Sequence, residues 1–123
     1  MKLLVFVLSK IEKLDDLLIE LSKNKITGAT ILKSVGMATS IYNNLHKDKS
    51  YSLILESLKI LLNNKNNENV TIFAVVDEKQ EKIFFKVVEE VVGSISKQNT
   101  GIIFTIKIDS IFGLHSWLNA LNP

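Results

Sequence analysis

The sequence contains no cysteine and no arginine, and only two histidines, His46 and His115. Without cysteine there is no disulfide, no thiolate metal ligand and no thiol nucleophile. Without arginine the planar two-pronged grip on phosphate is lost, so an anion site must use lysine, hydroxyls and backbone N–H groups. The two histidines lack an H-x-x-x-H spacing and read as surface or packing residues, with Asp48 as the neighbour of His46. No metal site is expected. The apolar start, Met1 to Leu8, is far short of the ~20 residues of a membrane span. It also lacks the basic flank and small-residue cleavage site of a secretory leader, so a cytoplasmic location is the expectation.

The same absences thin out the chemistry. A phosphatase of the acylphosphatase type needs an arginine to hold its substrate, and there is none. Asp15–Asp16 and Glu89–Glu90 are adjacent carboxylates, which on a helix point about 100° apart and form no acid–base pair. Ser34, Ser40, Ser50 and Ser110 have no placed base and no nucleophile elbow. The reading is therefore a protein that is not an enzyme. A net charge of +2 with dispersed lysines argues against a nucleic-acid partner. Strand Val70 to Val76 lacks the paired aromatics of an RNA-binding sheet.

What is present suits one folded domain over 1–123: the chain is 46% hydrophobic and 23% charged. Lys2 to Leu8 reads as a buried strand. Leu14, Leu17, Leu18 and Leu21 make the apolar stripe of a helix, with Asp15 and Asp16 in its first turn and Asn24 and Gly28 bracketing its exit. Thr30 to Val35 is a second strand, stopped by Gly36. Val70 to Val76 is a third, rich in β-branched residues. Asp77 caps a helix striped by Phe84, Val87, Val88 and Val91 and ended by Gly93. Ile102 to Ile108 is the last strand, with Ile102, Phe104, Ile106 and Ile108 on one face.

This order predicts an α+β fold, a ferredoxin-like β-α-β-β-α-β sandwich with two helices on one face of an antiparallel sheet. Strands 1 and 3 are apolar on both faces, so the second face needs a cover; a partner subunit is the simplest one, and the long insertion folded back over it the alternative. Between strands 2 and 3 lies a long insertion, 37–69. Its first part, M-A-T-S-I-Y-N-N-L-H-K-D-K-S, shows no periodicity and reads as a mobile loop. Its second part carries a stripe at Tyr51, Ile54, Leu55, Leu58, Leu61 and Leu62, predicting a short helix near 51–62. Trp117, Leu118 and Leu121 make an amphipathic tail within 113–123, expected to dock on the core or across subunits.

The pieces Lys13-Leu14-Asp15-Asp16, Ile26-Thr27-Gly28-Ala29-Thr30, Gly36 and Thr100-Gly101-Ile102-Ile103-Phe104 resemble, in order, motifs of the PII signal-transduction family. The resemblance spans roughly residues 2 to 112. It implies a homotrimer that binds an adenine nucleotide (ATP or ADP) in each cleft between subunits and has no permanent cofactor. It also implies regulation of a partner protein, a transporter, enzyme or transcription factor, in nitrogen or carbon metabolism. By the same resemblance 37–69 sits at the flexible T-loop, and Tyr42, His46 and Tyr51 are the side chains expected to meet that partner. Thr30 would contact adenine, Gly36, Met37 and Ala38 would form the loop base beside the phosphates, and Asn99, Thr100, Gly101 and Ile102 the opposing cradle.

Two departures change the chemistry that the resemblance implies. The family's phosphate-binding lysine is Ile102 here, and its C-terminal arginines are absent, with Phe112-Gly113-Leu114-His115 in their place. Each charge-assisted bond lost is worth roughly 1.5–3 kcal/mol, so a less charged ligand such as AMP or a cyclic dinucleotide fits the altered pocket at least as well. The alternative within the same fold is a trimeric metal-tolerance protein of the CutA type, or an assembly protein that has lost nucleotide binding. Scarce histidine and absent cysteine weigh against the CutA type.

Overall fold

Alternation and β-branching set the strands, and helix stripes set what packs on them. The computed structural model describes residues 1–45, 53–54, 56–57, 68–97 and 100–113. The elements are β1 (Lys2–Leu8), a 3-10 turn (Ile11–Lys13), α1 (Leu14–Lys23), β2 (Thr30–Val35), α2 (Met37–Leu45), β3 (Glu68–Val76), α3 (Glu78–Val91) and β4 (Gly101–Lys107). The four strands form one sheet in the order β2-β3-β1-β4. Every neighbouring pair is antiparallel. This is the topology compatible with a ferredoxin-like fold, and β1 and β2, both antiparallel to β3, run parallel to each other.

The core lies between the sheet and the stripes of α1 and α3. Leu4, Phe6 and Leu8 of β1 and Ile72, Ala74 and Val76 of β3 are buried against Leu17, Leu21, Phe84, Val87 and Val88. Phe6 and Phe84 meet edge to face, with ring centroids 6.3 Å apart, the orientation that the ring quadrupoles favour. Lys2 Nζ reaches Glu81 Oε2 at 3.1 Å, tying β1 to α3. The Lys2 side chain is 44% exposed and the Glu81 side chain 14%.

Helix ends follow local chemistry. Asp77 takes an extended ψ of 178° and its carboxylate accepts from Gln80 N–H, while Asp77 N–H donates to the Gln80 side chain. This reciprocal capping box satisfies two orphan donors of α3. Asp77→Ala is expected to lower stability by about 1 kcal/mol, read as a fall in the urea midpoint at unchanged slope. At the other end Gly93 adopts φ 106° and its N–H bonds to the Val88 carbonyl at 3.2 Å.

Three expectations are sharpened or corrected. The exit of α1 turns on Lys25, which takes the left-handed φ of 65°, between the Asn24 and Gly28 that bracket it. The reversal places Ile26 N–H on the Leu21 carbonyl at 2.9 Å and buries the Ile26 side chain to 4% exposure. The burial of Ile26 offsets the modest cost of a lysine in that region.

The second correction concerns the segment read as an unpatterned loop. Met37–Leu45 is the helix α2, and β3 begins at Glu68 rather than at Val70. A repeat was present: Ala38, Ile41, Tyr42 and Leu45 fall at i, i+3, i+4 and i+7. Thr39, Ser40, Asn43 and Asn44 between them are weak helix formers, which masked it. The third is the last strand, which starts at Gly101, one residue earlier than its apolar run. Of the helix expected near 51–62, residues 53, 54, 56 and 57 are described and are helical, and the remainder lies outside the described residues. So does the tail from 114 onward.

Candidate functional site

The register of the sheet assigns every strand side chain to a face. Leu8, Phe6 and Leu4 face the helices, so Val7, Val5 and Leu3 face away. Through the pairings, one row across the far face reads Thr30, Phe73, Val5, Phe104. The next reads Leu32, Thr71, Val7, Ile102, and the row on the other side Val75, Leu3, Ile106. None of these positions is charged. The strand lysines Lys2, Lys33 and Lys107 all stand on the helix side, at the margins of the core.

The far face is therefore apolar, with several outer positions exposed and Val5, at its centre, only 6% exposed. Ile102 is 57% exposed, Ile106 51%, Leu32 51% and Phe104 43%. The apolar stripe of β4 that the sequence shows so clearly looks away from the core, and only Ile103 of that strand packs onto the core cluster. The reason is parity: Gly101 pairs with core-facing Leu8, which sends every even-numbered residue of β4 to the far side. Its polar corner is Ser34, which donates its hydroxyl proton to Asn69 Oδ1 and lies 2.8 Å from Thr71 Oγ1. These bonds join the end of β2 to the start of β3.

The residues carried over for the nucleotide fall in two groups. Gly36, Met37 and Ala38 form the entry to α2, where Ser40 N–H donates back to the Gly36 carbonyl at 2.9 Å. The N–H groups of the first helical turn point outward there, an end that favours an anion. Met37 is 79% exposed. Gly36 needs no special backbone angle, and a Cβ added to it would meet only Asn69 Nδ2, at 3.9 Å.

The second group, Thr100, Gly101 and Ile102, opens β4, while Asn99 lies outside the described residues. Gly101 adopts φ 145°, and an added Cβ would sit 2.2 Å from the Val7 carbonyl oxygen. The backbone is pressed against β1, and the Thr100 carbonyl accepts from Ser9 N–H at 3.1 Å. Thr100 is fully buried, and its hydroxyl has no hydrogen-bond partner among the described residues. An unpaired buried hydroxyl costs about 1–3 kcal/mol. Thr100→Val, which keeps the shape, is expected to raise the melting temperature, by an amount equivalent to about 1 kcal/mol.

The two groups lie at the same end of the sheet but on opposite edges, since β2 and β4 are the outer strands. Three strand spacings separate them, about 14 Å. One chain does not bring them together. Thr30 is further removed, at the start of β2, six residues or about 20 Å along the strand from Gly36. Of the residues assigned to a partner, Tyr42 is half-buried on α2, and His46 and Tyr51 lie outside the described residues. Sequence reasoning missed the polar corner, although the direct pairing of Ser34 with Asn69 would follow from a correct start for β3.

Among the described residues, no three His, Asp or Glu side chains converge as a metal site, and no helix is long and apolar enough to cross a membrane. No protein-family model matches the chain, and no curated protein matches it.

Proposed function

We propose that this chain is a non-catalytic regulatory protein of PII type, assembled as a homotrimer and acting in the cytoplasm. In this reading it senses an adenine nucleotide in clefts between subunits and signals to a partner protein through 37–69. The observation that carries it is the charge-free far face of the sheet, whose exposed Ile102, Phe104, Ile106 and Leu32 surround the buried Val5. Contiguous patches of this kind mark interaction surfaces. A surface without charge meets no like-charge repulsion from a second copy of itself, so self-association is the favourable way to cover it.

The placement of the two half-sites supports the same arrangement. The α2 entry at Gly36 and the tight turn at Thr100–Gly101 stand on opposite edges of one sheet. Copies meeting edge to edge would set the first group of one against the second group of the next. A nucleotide held there would be gripped by backbone N–H groups and hydroxyls, the donors left to a chain without arginine. Binding would bias α2 and the connection beyond it between conformations, the population shift through which a ligand reaches a partner.

Isothermal titration calorimetry against ATP, ADP, AMP and cyclic-di-AMP, with and without magnesium, tests the sensing step. Saturable heat with one ligand per cleft is expected for at least one of them, strongest for the less charged ligands. The Gly36→Ala variant sharpens the result. Open space around Gly36 predicts a stability within about 0.5 kcal/mol of the parent, whereas the added methyl obstructs approach of a phosphate to the α2 entry and lowers affinity. No heat from any of the four, in a chain that still assembles, would leave an assembly protein without a nucleotide.

A further inference from the structure

We draw no further inference here: the strongest candidate, the charge-free apolar face of the sheet around Phe73, Val5 and Phe104, is the assembly surface already argued for the proposed function, and nothing in the structure shows what else would cover it.

Discussion

Gly101→Ala is expected to cost about 3–5 kcal/mol, enough to unfold much of a domain whose total stability is of the usual 5–15 kcal/mol. Two independent effects add. The backbone at Gly101 holds φ 145°, a region that L-residues rarely enter, worth about 1–3 kcal/mol of strain. The new methyl would also lie 2.2 Å from the Val7 carbonyl oxygen and 2.9 Å from the Phe6 ring. The ring is fully buried and stacked edge-on to Phe84, so it has little room to yield. Relief would require β4 to slide off β1, breaking a pairing that runs from Leu8–Gly101 to Lys2–Lys107. Urea denaturation followed by circular dichroism measures this. A midpoint within error of the parent would mean that the close approach of Gly101 to β1 is wrong. The contrast with Gly36, where the same substitution meets open space, makes the pair an internal control.

The second large effect is on assembly. The parent chain is expected to sediment as a species of three chains at micromolar concentration, and the double variant Phe104→Lys, Ile106→Lys as one chain. Both side chains stand on the far face and are about half exposed in the single chain. Removing them takes little from the core between sheet and helices. Placing ammonium groups there, once per subunit, would force buried charges into the interface at several kcal/mol each. The variant should therefore keep its far-ultraviolet circular dichroism and lose its assembly. Analytical ultracentrifugation decides between outcomes. A parent that is monomeric throughout the concentration range would sink the assembly reading, and a variant still trimeric would move the interface to another face.

The two variants also separate fold from function. Gly101→Ala attacks a contact inside one chain, so it should lower stability at every protein concentration. The lysine variant attacks a contact between chains, so its effect on apparent stability should grow with protein concentration in the parent, by mass action. Calorimetric melting at two concentrations distinguishes them.

Much of the secondary structure was legible because its signals are local. The stripe Phe84, Val87, Val88 gives a helix whatever surrounds it, and Asp77 as a capping residue gives its start. β2 was read to its residue bounds, since Thr30 to Val35 lies between a small-residue stretch and Gly36. The failure at α2 has a physical cause. Ala38, Ile41, Tyr42 and Leu45 supply the period, but threonine, serine and asparagine between them have weak helix propensity. Local preference and periodicity disagreed there, and periodicity won. At the exit of α1, Asn24 and Gly28 marked the reversal, but only the packing shows that Lys25 takes the left-handed angle, which delivers Ile26 to the core.

The candidate site was legible only as residues, not as a place. Gly36 and Gly101 could be singled out from the chain, but nothing local says that they share one end of the sheet or that an entire sheet separates them. That follows from strand order, which depends on pairings between residues far apart in sequence. The buried, unpaired hydroxyl of Thr100 was likewise invisible until β1 and β4 were paired.

The sequence by itself therefore determined the four strands and the helices α1 and α3, though not α2, that no thiol or guanidinium chemistry is available, and that one face of β4 is continuously apolar. Each of these depends on residue type or on spacings of two to four residues, which backbone geometry converts directly into structure. Only the tertiary structure decided which way that apolar face looks. The answer turned on one register, Gly101 opposite Leu8, because a slip of a single residue exchanges the two faces of a strand. With that register the core takes Ile103 and leaves Ile102, Phe104 and Ile106 to the open side, the surface on which the proposed assembly stands.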